Sequence, residues 1–347
     1  MKNGIKMIDI AREIGVSVVT VSNALAGKNG VSENLRKKIC ETASRMGYKP
    51  SANKNIKQQN LCIKPGKSVA LLTSERFVGD RGTFYWKLTA LISNKLSHNN
   101  VCTFYECITA KNESENIPPK AATDNKIDVI IVIGQISRNY IKLLSDVNIP
   151  LVFVDFYDNR FKIDSVNSDS YQGGYLLTDY LVAMGHKNIG FFGNVTATSS
   201  IHDRFLGYIK CLMENNLPYK SEWTLKDRDS HGILYTKINF PESMPTAFVC
   251  NCDETAFRVI SALKSKGIRV PEDISVVGYD NFTVSNICIP AITTIEVDIS
   301  KMADAAVDII AHKLTDPDYY GGRRIISGSL IKKESVLNIS IKNTDFY

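Results

Sequence analysis

Residues 5–50 read IKMIDIAREIGVSVVTVSNALAGKNGVSENLRKKICETASRMGYKP, and this stretch decides the first domain. The spacing predicts three short helices separated by two tight breaks. The first runs from Met7 to Ile14. Gly15 then supplies the turn, because glycine alone takes a positive φ without steric cost. Ser17 has the chemistry of an N-cap, its hydroxyl accepting one orphan N–H of a second helix, Val18 to Leu25. Ser32 caps a third helix that carries Leu35, Ile39, Ala43 and Met46 at helical spacing. Ile10, Ala11, Ile14, Val16, Val21, Leu25 and Val31 join them in one small core. Two helices set around a sharp glycine turn form the helix-turn-helix DNA reader, whose second helix enters the major groove. An ordinary three-helix mini-domain is the plainer alternative.

Charge favours the DNA reading. Residues 1–67 hold 13 Lys and Arg against 4 Asp and Glu, a net of +9, while the other 280 residues carry a net of −3. A basic head on a slightly acidic body is the footprint of a phosphate-backbone binder. At 347 residues with 44% apolar content, the chain is long enough for a small head and a large cored body. Its start lacks the apolar run of a signal peptide, and nothing approaches the ~18–20 apolar residues of a membrane span. The eight cysteines are scattered through apolar segments, which points to reduced thiols and the cytoplasm. Cys250 and Cys252 have no second Cys/His pair nearby in sequence, so no metal site is expected.

Residues 51–66 form a polar stretch ending in Pro65-Gly66 and read as a linker with a short helix at its start. Beyond it, apolar strand patterns at 68–73, 101–108, 128–133 and 151–155 precede a second series at 188–193, 246–250 and 275–279. Helical patterns at 84–97, 173–184, 201–215 and 254–266 lie between them. This alternation predicts an α/β body of two doubly wound parallel-sheet lobes. The domains expected are 1–50 (the helix-turn-helix head), 51–66 (the linker) and 67–347 (the two-lobed body).

Ligands in such folds sit beyond the carboxyl ends of the strands. Asp155, Cys252 and Asp280 stand at such ends, Arg204 opens a following helix, and Phe84, Tyr85 and Trp86 begin another. Together they suit a hydroxyl-rich small ligand. Asp253 and Asp280 are also candidates for helix caps, and for Asp253 capping is the better reading.

The segments AREIGVSVVTVSNALAGKNGVS, RMGYKP, MGHKNIGFFG, DRFLGY, KGIRVPEDISVVGYDN and PAITTIEVDISKMA, in this order and spacing, resemble the LacI/GalR family of bacterial transcription regulators. The likeness runs from Ile5 to about Ser335. It implies a head, a hinge and a two-lobed body like periplasmic sugar-binding proteins. A family member binds an operator in double-stranded DNA as a dimer, and a small effector between the lobes, most often a sugar or sugar derivative, alters its operator affinity. Val18, Val19 and Asn23 match the family's base-reading positions, and Ser17, Thr20 and Ser22 those that touch phosphate or pack the helix. Asn can bind adenine N6 and N7 together, and Val can pack on a thymine methyl. Arg204 and Asp280 match positions that contact effector hydroxyls.

Three departures stand out. The family's hinge resembles NAIARSL, but here SANKNIK places Lys54 at the Ala position and Lys57 at the position of the Leu that wedges into the minor groove. Ile56 lies one residue off register. Cys252 removes an amide that the family directs at the effector, and SERFVGDRGTFYW replaces the Asn-Pro-Phe motif after the first body strand. No leucine heptad follows Ser335, so a homodimer is expected rather than a coiled-coil tetramer. The function implied is a cytoplasmic, nucleoid-associated repressor with no cofactor. The competing reading is a small-molecule sensor whose head binds a protein partner. An enzyme ranks third, because the chain has no Gly-x-Ser-x-Gly, Walker loop or His/Cys metal cluster.

Overall fold

The computed structural model describes residues 7–25, 31–46, 66–78, 83–123, 126–229 and 232–340, in two compact units of residues 1–60 and 61–347. The first unit contains α1 (Met7–Ile14), α2 (Val18–Leu25) and α3 (Glu33–Arg45). Gly15 follows α1 at φ +78. The Ser17 hydroxyl accepts the Thr20 N–H at 3.0 Å, the capping bond anticipated for α2. Ile10, Ala11, Val21, Ala24, Ile39 and Ala43 are buried together, with Met7, Ile14, Val16, Leu25, Val31, Leu35 and Met46 packed around them.

Among its described residues the second unit has twelve strands: β1 (Ser68–Ser74), β2 (Cys102–Ile108), β3 (Val129–Ile133), β4 (Leu151–Val154), β5 (Asp164–Ser168), β6 (Ile189–Phe192), β7 (Thr224–Leu225), β8 (Ala247–Cys250), β9 (Ser275–Val277), β10 (Thr294–Glu296), β11 (Arg323–Ile326) and β12 (Ser329–Ile331). Nine helices accompany them among the described residues: α4 (Thr83–His98), α5 (Ala110–Glu115), α6 (Lys120–Thr123), α7 (Arg138–Ser145), α8 (Ser170–Ala183), α9 (Ser199–Glu214), α10 (Asp253–Ser265), α11 (Thr283–Ile287) and α12 (Ile299–Thr315). One lobe is a six-stranded parallel sheet of order β11-β5-β4-β3-β1-β2. The other is a four-stranded parallel sheet of order β7-β6-β8-β9. β1, β3, β4 and β8 are buried along their whole length, which explains their near-continuous apolar sequences. The chain passes from the first sheet to the second through α8, returns through α12, and leaves again after β11 to pair β12 with β10.

One core spans both lobes, running from Val69, Leu71 and Ile131 through Leu177 and Tyr208 to Phe191 and Val249. Each lobe also buries a cluster of its own, around Tyr140 and Phe153 in the first and Phe248 and Val259 in the second.

The predicted strands and the four predicted body helices fall within a few residues of their expected bounds. The strands β5, β7, β10, β11 and β12 were not anticipated, nor were the helices α5, α6, α7, α11 and the 17-residue α12. β5 reads Asp-Ser-Val-Asn-Ser and yet is wholly buried. Its polarity is absorbed by specific partners: Asp164 accepts the Gly321 and Gly322 N–H groups at 2.7 Å each and pairs with Lys313 at 2.8 Å. The Ser165 hydroxyl donates to Asn167. No helix among the described residues is long and apolar enough to cross a membrane.

Candidate functional site

Two surfaces concern function, and the first is on α2. Val21 and Ala24 turn inward to the head's core. At helical spacing Val18, Val19, Ser22 and Asn23 then share the opposite side. Val18 is 41% and Val19 67% exposed, while Ser22 and Asn23 are half-buried. Two exposed β-branched residues side by side gain nothing from water and present methyl groups for contact. The C-terminal end of α2 is tied to α3 by Arg36, whose guanidinium donates to the Ala24 carbonyl at 3.0 Å. Lys54, Ile56 and Lys57 lie outside the described residues.

The second surface lies at the carboxyl ends of the body strands. Asp155 follows β4 in a left-handed conformation at φ +66 and accepts the Tyr85 hydroxyl at 2.9 Å. Burial raises its carboxyl to about 6, against the pull of Arg204 and of the Tyr85 hydrogen bond. Burial, then Asp155, pushes the Tyr85 phenol well above its ordinary value.

Arg204 does not open its helix. α9 begins at Ser199 behind Thr198, whose hydroxyl accepts the Ile201 N–H at 3.1 Å, so Arg204 sits in the second turn. Two glycines let α8 and α9 approach closely and so set the arginine's place. A Cβ on Gly174 would stand 2.1 Å from the Arg204 carbonyl oxygen, and one on Gly207 2.0 Å from that of Tyr171. The guanidinium lies 3.6 Å from the centroid of the Tyr279 ring. It donates to the Asn251 carbonyl at 2.5 Å and reaches Asp280 at 3.8 Å. Asp280, at φ +111, is driven well above the usual carboxylate range by burial, with Arg204 opposing and Asp253 and Asp155 adding to the rise.

Asp253 is not a helix cap. Cys252 holds the N-cap position of α10 and makes no side-chain cap bond. The Asp253 carboxylate instead accepts the Phe282 N–H at 3.0 Å and the Thr294 hydroxyl at 2.7 Å, joining α10 to the segments after β9. Asp280 does not cap α11 either, since Phe282 holds that position. The Cys252 thiol lies 3.8 Å from Arg228, which is bound to the buried Asp227. Phe84 meets Tyr85 and Phe282 edge-on, at ring distances of 5.1 and 5.7 Å.

Tyr85, Asp155, Arg204 and Asp280 thus form one cluster, with Phe84 and Cys252 in the adjoining contacts. The cluster is nearly closed on itself. Arg204 Nε and Asn251 Oδ1 remain as buried atoms without a hydrogen-bond partner among the described residues. Open space lies beside it, in a cleft of about 1580 Å³ that none of these six side chains lines. Its walls include Glu75 and Arg76 after β1, Gln135 and Ser137 after β3, Tyr157 and Asp158 after β4, and Thr196 and Ser199 after β6. The rule that led to Asp155 also marks most of these positions, because they lie within a few residues of a strand's carboxyl end. Their polar loop composition gave them no separate signal.

Residues 6–51 match the family model described as bacterial regulatory proteins, lacI family. Residues 178–336 match that of the periplasmic binding protein-like domain. The HTH-type transcriptional repressor PurR of Actinobacillus pleuropneumoniae serotype 3 (strain JL03) is 28% identical over 342 residues, covering 96% of this chain and 98% of that protein. Two solved structures share the fold. One is the transcriptional regulator CelR–cellobiose complex, at 18% identity and TM-score 0.67, covering 95% of this chain and 99% of that one. The other is the lac repressor dimer bound to operator and the anti-inducer ONPF, at 23% identity and TM-score 0.64, covering 96% and 100%. The head, the two-lobed body and both family models agree: the chain belongs to the LacI/GalR family, whose members are transcriptional regulators and not enzymes.

Proposed function

We propose that this protein is a sequence-specific, homodimeric transcription repressor whose operator affinity is set by a small polar effector held between its two lobes. Residues 1–50 bind DNA, 51–66 are the hinge, and 67–347 bind effector and dimerise. It acts in the cytoplasm, at the nucleoid. The observation that carries the reading is the α2 face: Val18, Val19, Ser22 and Asn23 turned away from the core on a helix capped by Ser17, with a net charge of +9 over residues 1–67. The cleft's amides, hydroxyls and paired charges suit a hydroxyl-rich ligand such as a carbohydrate. The similar CelR protein is described in complex with cellobiose. Arg204, Asp280, Asp155, Tyr85, Phe84 and Cys252 stand behind that cleft and convert ligand contact into a change in the lobes. The test is selection of binding sites from random DNA by the full-length protein. A two-fold symmetric consensus is expected, and recovery of no consensus would refute the reading.

Asn23 reads a base, with adenine as its match. Asn23→Ala should cost ~1–3 kcal/mol of operator affinity and relax one position in each half-site. An unchanged consensus in the same selection would remove Asn23 from the interface.

Lys57 bears on how far the operator bends. An ammonium group cannot act as the apolar wedge that unstacks a base step from the minor groove. The native protein should therefore bend its operator less than Lys57→Leu does, and the variant should bind more tightly. Equal mobility shifts for the two proteins in a gel-phasing assay would count against this. If Ile56 takes the wedge's place by a shift of register, Ile56→Ala becomes the damaging change instead.

A further inference from the structure

One wall of the cleft is built by residues from both lobes. Tyr157, in the loop after β4, lines the cleft. Its hydroxyl donates to Asp203 of α9 at 2.8 Å. The other Asp203 oxygen accepts from Arg323 at 3.0 Å. Arg323 opens β11, so it belongs to the same sheet as β4, whereas α9 connects β6 and β7 of the other sheet. The Arg323 guanidinium also lies 3.6 Å from the centroid of the Tyr157 ring. The Tyr157 N–H donates to the Ser199 hydroxyl at 3.3 Å, and the Ser199 N–H to Gln135 at 3.2 Å. Loops of one lobe thus grip the first turns of a helix from the other.

These contacts share a dependence. Hydrogen bonds fail within a fraction of an ångström beyond their normal range, so a small lobe rotation breaks them together. Asp203 is 8% exposed, and without Arg323 its charge would be left buried beside a single phenol. With Arg323 on one face and Asp203 on its hydroxyl, the Tyr157 ring is a fixed platform beside the cleft. Rigid aromatic walls with a few polar groups at their edges are the usual furniture of small-ligand sites.

We propose that Tyr157 is an effector-contacting residue, and that Asp203 and Arg323 are positioning residues which hold its ring in the cleft wall only while the lobes are together. The inference rests on the effector site proposed above. A ligand that touches Tyr157 in this arrangement binds it better than one with the lobes parted, and that difference in affinity is what shifts the balance.

Hydrogen–deuterium exchange on the full-length protein without ligand tests the positioning. Asp203→Asn and Arg323→Gln should each speed exchange in residues 155–160 and 199–204 at least tenfold, with β1 unchanged. The double variant should match the worse single one within about twofold, because both changes undo one arrangement. Unchanged exchange in the single variants, or effects that multiply in the double, would overturn the assignment. Tyr157→Phe, which keeps the ring and removes only the hydroxyl, gives the same readout if either charge variant fails to fold. Thermal-shift titration with mono- and disaccharides and their phosphates tests the contact. For any sugar that stabilises the native protein, Tyr157→Ala should weaken binding at least tenfold, and Tyr157→Phe, which keeps the ring but frees it from Asp203, should weaken it by less than Tyr157→Ala does. Native-like affinity in Tyr157→Ala would refute the contact. If no sugar binds the native protein, the carbohydrate reading fails and the contact with it, while the exchange result still decides the positioning.

Discussion

Raising salt from 50 to 200 mM should weaken operator binding by roughly 10³–10⁵-fold, for a dimer neutralising on the order of 6–10 phosphates. The size of the effect follows from where the charge lies. Residues 1–67 carry a net of +9 while the rest of the chain carries −3, so a dimer offers two strongly basic heads and little other attraction for DNA. Each lysine or arginine that pairs with a phosphate releases a condensed counterion, and added salt reverses that gain. The base contacts proposed for Asn23 and the valines of α2 would respond little to salt, so they would set which sequence is chosen and not the slope. The measurement is a titration of the selected operator at several salt concentrations, with a scrambled duplex beside it. A flat response on the operator would mean that the head does not bind DNA through its backbone. Equal affinities for the two duplexes would leave the charge argument intact and remove the role of α2.

The head was legible in the sequence because local rules decide it: a glycine at a positive φ, a serine cap and an apolar face at helical spacing. The body's apolar strands were legible for a similar reason, since a strand covered on both faces must be apolar throughout. β5 escaped that rule. Asp164 is buried only because two backbone N–H groups and Lys313, roughly 150 residues later, are brought to it by the fold. No local pattern announces such a partner. The site divides in the same way. Strand ends pointed to Asp155 and Asp280, but their mutual pairing around Arg204 depends on both lobes and on the close approach of α8 and α9 at Gly174. Tyr157, Asp203 and Arg323 were missed because their relation exists only across the two lobes. The reading of Asp253 as a cap failed because its carboxylate finds better-placed donors at Phe282 and Thr294 than at the start of its own helix.

Arg204→Ala should destabilise the body strongly, by about 3–5 kcal/mol near pH 8, and by much less near pH 5. Removing the guanidinium leaves Asp155 and Asp280 buried without their shared cation. The sign of the pH effect follows from the direction of their shifts. A carboxyl whose folded pKa is raised holds its proton more tightly when folded. Its contribution to stability is therefore greatest below the unfolded value of 3.8 and is lost as pH rises through the folded value, about 6 for Asp155 even with Arg204 present. Without Arg204 both carboxyls shift further up, so the loss continues to higher pH. Below about pH 5 they are protonated and the charge penalty disappears. What remains there is the lost hydrogen bond to the Asn251 carbonyl and the lost stacking on Tyr279, neither of which depends on pH in this range. Asp280→Asn in the same chain removes one of the two stranded charges at nearly constant shape, so the double variant should recover part of the loss at pH 8 and little at pH 5. Urea unfolding of the native, single and double variants at the two pH values measures this. Equal losses at both pH values would mean that Arg204 acts by packing and not by charge. The same variants address the effector. If Arg204 carries its signal, the stabilised double variant should still bind operator but should no longer respond to a ligand that shifts the native protein, and a preserved response would take Arg204 out of the effector site.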